Sequence, residues 1–371
     1  MAQRNERTGI TGAQELDTGH VRQNDGQREE ALTGFQEEEQ VIGFLRRSPI
    51  LYSRYQGLNK EWRKRFLDFC QGKKSLPLTY DPFFKWIFHP DIHPNRLSHF
   101  ISCMLGITVR VLNVLPSEDS ALIGGTLLIM DLLGQLEDGS LVNVEIQKQG
   151  YAFPAERISC YGADLLMRQY ARVKGVRGRD FTYRDIKKVY VIVIFEKSTR
   201  EFHNVSTAYL HHGKTVFDTG LHMEFLQEYT LAALDVFKTF RYPKKKSEQT
   251  AWLSLLTTED LEEAQKVIGE YPWLEEIYEE IAMLRQKPEE VLGMFSEALR
   301  ILDENTLKYM IEELQKEVEE KEGMLEAAVG EKESILAQLA QKDAILEAKE
   351  KENMELKNLL KQYKGMQNSV I

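Results

Sequence analysis

No stretch of the 371-residue chain approaches the roughly 20 consecutive apolar residues of a membrane-spanning helix, so no membrane partner is expected. The opening MAQRNERTGITGAQ does not have the pattern of a secretory signal. Cysteine is scarce. Cys70, Cys103 and Cys160 are far apart and odd in number, which argues against a disulfide framework and for buried thiols in a reducing compartment. A cytoplasmic location is the expectation. A glycine-rich phosphate loop is missing too: GGTLL lacks the Lys-Ser/Thr ending and leads into a strand pattern. His89 and His93 stand four apart, but Pro90 and Pro94 break the helix that a zinc pair at this spacing needs. Cys160 has no Ser/His/Asp or Cys/His arrangement around it and reads as core.

What is present is unevenly charged. Residues 1–40 carry 4 Lys+Arg and 9 Asp+Glu, residues 41–250 carry 30 and 21, and residues 251–371 carry 14 and 28. A basic middle between two acidic arms is compatible with a polyanion partner for the middle alone. The apolar content of 42 % is enough for a substantial core.

The chain reads as five segments. Residues 1–40, rich in Gln, Glu and Gly, are a disordered acidic arm. Residues 41–77 are a helical lead-in. Residues 78–240 are an α/β core, opened by DPFFKWIF with Asp81 as helix N-cap and Pro82 at the first helical position. NRLSHFISCMLG is a second helix ending at Gly106. Strands follow in ITVRVLNVL, GGTLLIMDLLGQL and SLVNVEIQ, then a helix from Pro154 to about Val173. The β-branched run KKVYVIVIF is a strand buried on both faces, with further strands around 205–211 and 221–228. Residues 241–302 are a helical subdomain. Residues 303–371 are a long helix with apolar residues at heptad spacing, from Ile311 and Leu314 to Leu356 and Leu360, and Lys321, Lys332, Lys342, Lys349 and Asn353 on the same seam. Homo-oligomerisation through this helix is expected, as a weak or interrupted coiled coil; the alternative is a long solvated helix that frays.

The stretch LVNVEIQKQG places an acid inside a strand. Side chains alternate, so Asn143, Glu145 and Gln147 share one face while Val144 and Ile146 share the other. A lone carboxylate in a sheet core is costly unless it is paired, hydrogen-bonded or bound to a metal. LEDGSL joins this strand to the previous one, and the loop length decides the partner. A two-residue Asp138-Gly139 turn sets Asp131 opposite Ile146. A three-residue Glu137-Asp138-Gly139 loop, with the glycine left-handed, sets Asp131 opposite Glu145. Two facing carboxylates repel, and a divalent cation with oxygen ligands relieves that repulsion. The alternative is a pair of polar strand-end residues facing solvent.

These blocks resemble the PD-(D/E)XK nucleases. YDPFFKWIF, MDLLGQLEDGSLVNVEIQ, ERISCYGADLL and KKVYVIVIF, in that order, are similar to the branch of Rpn-like recombination-promoting nucleases and transposase-like proteins, over about residues 78–300. The resemblance implies an α+β fold with a mixed β-sheet flanked by helices and a Mg²⁺-dependent DNA endonuclease, with Mn²⁺ as a substitute ion. It implies Asp131, Glu145 and the Ile146 carbonyl as metal ligands, Gln147 in the place of the superfamily lysine, and Asp81 as a further catalytic residue. Lys85, Arg157, Tyr161 and Arg168 are the residues expected to contact DNA. Lys148 points to the opposite face and is not expected to replace the missing lysine. The rival reading is a catalytically silent nuclease-fold scaffold that binds DNA or protein and self-associates through its C-terminal helix.

Overall fold

The computed structural model describes residues 37–90, 92–115, 132–205, 207–240 and 245–367. It divides at Leu302/Asp303 into two compact units. The first opens with three helices, α1 (Glu38–Arg46), α2 (Pro49–Gly57) and α3 (Lys60–Cys70). Ser48 and Asn59 cap the second and third by accepting from the backbone N–H groups of Leu51 and Trp62. Helix α1 begins at Glu38, so the end of the segment read as an arm is helical; the rest of that arm, residues 1–36, lies outside the described residues. Helices α4 (Asp81–Ile87) and α5 (Pro94–Leu105) follow. The cap of α4 is Tyr80 rather than Asp81. Asp81 therefore stands in the first helical turn, where the helix dipole favours an anion.

Six strands form one mixed sheet among the described residues: β1 (Val111–Leu115), β2 (Leu132–Leu136), β3 (Leu141–Gln147), β4 (Val189–Phe195), β5 (Leu210–Lys214) and β6 (Gln227–Ala233), in the order β1-β2-β3-β4-β6-β5. The first three run antiparallel, β3, β4 and β6 run parallel, and β5 closes the edge antiparallel to β6. The last two strands fall several residues later than the sequence pattern suggested, because β6 places its most buried residues, Thr230, Ala232 and Ala233, after the mixed 221–228 stretch. A parallel β3–β4 pair needs a long crossover. Helix α6 (Ala155–Arg177) supplies it.

Strand β4 is buried at every position because both sheet faces are covered. On one face Val142, Val144, Ile192 and Ile194 pack into a core with Phe83, Phe84, Phe88, Phe100 and Trp252. On the other, Leu133, Leu141, Val191, Val193 and Phe195 meet Ile158, Tyr161 and Leu165 of α6. Cys160, read as core, is exposed on this helix: its neighbours Ile158 and Tyr161 face the sheet and turn it outwards. After β4 and β6 come helices α7 (Arg200–Asn204), α8 (Leu234–Lys238), α9 (Glu248–Thr257), α10 (Leu261–Glu270) and α11 (Glu275–Met283). The last helix, α12, runs from Pro288 to Gln367 and starts 15 residues before the heptad pattern becomes visible. No described helix is long and apolar enough to cross a membrane.

The β2–β3 hairpin has the three-residue loop. Leu136 and Ser140 flank it, with Ser140 O accepting from Leu136 N at 2.8 Å, and Gly139 adopts φ +88°. Asp138 braces the loop by accepting from the Ser140 N–H and hydroxyl, both at 2.9 Å. Helix α6 clamps the turn: Gln169 Nε2 and Arg172 Nη2 donate to the Gly139 carbonyl at 2.6 and 2.8 Å. A side chain at residue 139 would strain the left-handed backbone by about 1 kcal/mol. Gly139→Ala should lower the unfolding free energy by that amount in urea titrations. Unchanged stability would mean that the loop does not hold this conformation.

Candidate active site

The hairpin register decides which residues meet. Leu132 pairs with Val144, Leu133 with Asn143, Gly134 with Val142 and Gln135 with Leu141. This is the register of the three-residue loop, and no pair matches the two-residue alternative. Asp131 lies outside the described residues.

Glu145 is 1 % exposed and sits beside Val193 of β4, on the face covered by α6. Two amides of its own strand hold it. Asn143 Nδ2 donates to one carboxylate oxygen at 2.8 Å and Gln147 Nε2 to the other at 3.2 Å. Period-two alternation brings these three polar side chains together. Asn143 is fully buried, and its Oδ1 has no hydrogen-bond partner among the described residues. Since the carboxylate must receive the amide hydrogens, Oδ1 is left as a bare oxygen acceptor. The group thus offers oxygen donors, the chemistry that hard divalent cations take.

Helix α6 brings Arg157 and Tyr161 over the same sheet face, one turn apart. Tyr161 is 1 % exposed and packs its ring on Phe153, with centroids 5.2 Å apart. Arg157 lies 4.8 Å from the Phe153 ring centroid, and its Nη2 stands 3.5 Å from the Tyr161 hydroxyl. The helix closes on the sheet through Gly162, where an added Cβ would lie 2.7 Å from the Tyr229 hydroxyl.

Other residues read as contacts to DNA are engaged elsewhere. Arg168 donates to Asp164 at 2.7 Å in a pair that is almost wholly buried, because their four-residue spacing stacks them against the sheet. Two further arginines of this helix are engaged as well, Arg172 in the hairpin clamp and Arg177 near Asp185 at 3.8 Å. Asp81 and Lys85 pair with each other at 3.0 Å on the helix whose phenylalanines pack on the opposite sheet face. Burial pushes the Asp81 carboxyl up, against the pull of Lys85. The Asp81 carboxylate is thus engaged by Lys85, on a helix packed against the sheet face opposite Glu145.

Lys148 follows the alternation to the other face and enters a group that sequence reasoning missed. Its ammonium pairs with Glu196, lies 3.0 Å from the Thr79 hydroxyl and stands 3.3 Å from the Tyr80 ring centroid. Residues 79, 148 and 196 are far apart in sequence, so no local pattern could reveal them. Burial pushes the Lys148 amine down to about 8 despite Glu196. Burial also pushes the Tyr80 hydroxyl up to about 12. For Glu196, burial opposes ionisation, but Lys148 and the Thr79 hydroxyl outweigh it and hold the carboxyl below its usual range.

One further set of ligand-type atoms meets among the described residues: His99, Cys103 and Glu248, all within 4.8 Å of one another. Trp252 Nε1 donates to His99 Nδ1 at 3.3 Å, which leaves His99 Nε2 protonated and facing Glu248 at 3.0 Å. The chain of donors and acceptors is satisfied without an ion.

Residues 78–310 match the family model described as PD-(D/E)XK nuclease family transposase. The chain belongs to this family. Its mixed sheet with flanking helices is consistent with the family's α+β fold, and PD-(D/E)XK nucleases generally use divalent metals. No curated protein and no solved structure matches the chain.

The lowered Lys148 amine gives a pH dependence. Between about pH 8 and the ordinary lysine range near pH 10, the unfolded chain holds a proton that the folded chain has released, so this residue makes stability rise with pH. Relative to Lys148→Met, the wild type should gain unfolding free energy between pH 7.5 and 9.5 in urea titrations. A constant difference would show that the amine titrates normally.

Proposed function

We propose that the protein is a Mg²⁺-dependent DNA endonuclease, able to use Mn²⁺, with Glu145 and Asp131 as its carboxylate metal ligands. The observation that carries this reading is the hairpin register. Its last pair, Leu132↔Val144, belongs to the three-residue loop, the register in which the sequence reading expects Asp131 across from Glu145. The Ile146 carbonyl is the third ligand in this assignment. The buried oxygen of Asn143 fits the same donor set, as an acceptor for an ion-bound water.

The ion supplies Lewis-acid stabilisation of charge on the scissile phosphate and a more acidic water. The chain's own residues do the rest. Asn143 and Gln147 hold the Glu145 carboxylate in one orientation, so no side chain has to reorganise when a cation arrives. Gln147 also stands where a phosphate oxygen or water can accept from its amide. Tyr161 fixes the Arg157 guanidinium, which lends positive charge to the phosphate beside the carboxylates. Arg168, Asp81 and Lys85 have no part in this assignment, because Asp164 occupies the first and the other two occupy each other. Recombination or mobile-element processing is the context in which such an enzyme acts.

Supercoiled plasmid tests the reading. With Mg²⁺ the wild type should nick or linearise it, EDTA should stop the reaction, and Glu145→Gln or Asp131→Ala should lower the rate at least 100-fold. Without metal, Asp131→Ala should melt no lower than the wild type, because deleting one of two repelling carboxylates relieves strain. Mg²⁺ should raise the wild-type melting temperature and leave the variant unchanged. A wild type that cuts with neither Mg²⁺ nor Mn²⁺, together with a variant that melts earlier in EDTA, would leave the non-catalytic scaffold as the reading.

A further inference from the structure

Helix α12 carries an exposed apolar stripe. Ile311, Leu314, Leu325, Leu339, Leu346 and Leu360 recur on heptad a and d positions, and each is half or more exposed. From Leu307 to Leu360 the seam is about 80 Å long at 1.5 Å per residue. A stripe of this length with strict three- and four-residue steps is the pattern of a coiled-coil strand.

The lysines on the seam decide which way a partner can lie. Lys321, Lys332, Lys342 and Lys349 all occupy a or d positions. In a parallel, in-register pair each would face its own copy, giving four layers of opposed like charge. An antiparallel pair sets a positions against d positions and avoids every one of these layers in one register. There Lys332 faces the partner's Ile335, Lys342 the partner's Leu325, and Lys349 the partner's Val318. The ends close on apolar layers, Ile311 on the partner's Leu356 and Leu307 on the partner's Leu360. Sliding one heptad in one direction sets Lys332 against the partner's Lys342. Sliding one heptad in the other leaves Leu356 facing Glu304. Lysine tolerates an aliphatic neighbour, since its stem lies along the apolar surface while the ammonium reaches water.

The charge distribution agrees. Residues 303–333 hold 11 Asp+Glu and 4 Lys, whereas residues 334–367 hold 5 and 6. Parallel pairing stacks the acidic halves on each other. Antiparallel pairing sets each acidic half against a weakly basic one.

We infer that residues 303–367 pair with a second copy of this chain as an antiparallel two-stranded coiled coil, in the register that places Lys349 on the partner's Val318.

Cysteine crosslinking on the full chain tests orientation and register together. A Cys160→Ser background removes the exposed native thiol, while burial pushes Cys70 up to about 12 and Cys103 up to about 11, which leaves both poorly reactive. Val318→Cys and Lys349→Cys are made in this background, expressed singly or together with distinguishable tags, and oxidised. The wild type should sediment as a dimer. Each single variant should give little disulfide-linked dimer, and the co-expressed pair at least tenfold more. Self-crosslinking of each variant alone would establish a parallel pair and overturn the inference. So would a monomer at tens of micromolar, or a trimer or larger assembly.

Discussion

A buried carboxylate in the middle of a sheet is the constraint around which this fold is organised. Glu145 is enclosed by β4 on one side and by α6 above, and it survives there because Asn143 and Gln147 turn their amides towards it. That solution depends on register. A slip of one residue of β3 against β2 would exchange its two faces, send Glu145 into the phenylalanine-rich core and turn Val144 towards α6. The molecule guards against the slip at the turn. Gly139 fixes the loop length, Asp138 locks the loop, and Gln169 and Arg172 reach down from α6 to grip the Gly139 carbonyl. The helix that covers the carboxylate is thus the helix that holds the hairpin in register.

The two sheet faces carry different burdens. The face towards α4 and α5 is almost purely apolar and aromatic, and supplies most of the burial. The face towards α6 mixes a smaller apolar cluster with Asn143, Glu145, Asp164, Arg168 and Gln169, all hydrogen-bonded. Buried polar groups of this kind are retained at a cost in stability, and their concentration on one face is why the proposed reading puts the chemistry there. The Lys148–Glu196–Thr79 group on the other face ties the segment before α4 to the carboxyl ends of β3 and β4.

Much of this was legible in the sequence, and the parts that were not share a cause. The alternation in LVNVEIQ gave the face of Glu145, EDG narrowed the loop to two lengths, and VYVIVIF gave a strand buried on both sides. Each is a short-range signal with a direct physical reading. Arg168 was expected to contact DNA, and an arginine looks alike in sequence whether it faces solvent or is paired. Only the structure shows Asp164 underneath and the Gly139 carbonyl next to Arg172. Asp81 was read as a helix cap and as part of the catalytic group, yet Tyr80 is the cap and Lys85 pairs with the carboxylate. The role of Asn143 was invisible, since nothing in the sequence tells that its carbonyl oxygen is left bare in the core.

The central claim is that a divalent ion sits on the Glu145 face of the hairpin. Replacing Mg²⁺ by Fe²⁺ and adding ascorbate generates hydroxyl radicals at the ion, which cut the backbone only where the ion is bound. The account predicts cleavage confined to the neighbourhood of residues 131 and 143–147, suppressed by excess Mg²⁺. Cleavage around His99, Cys103 and Glu248 instead, or none above the background of the chain without iron, would contradict it.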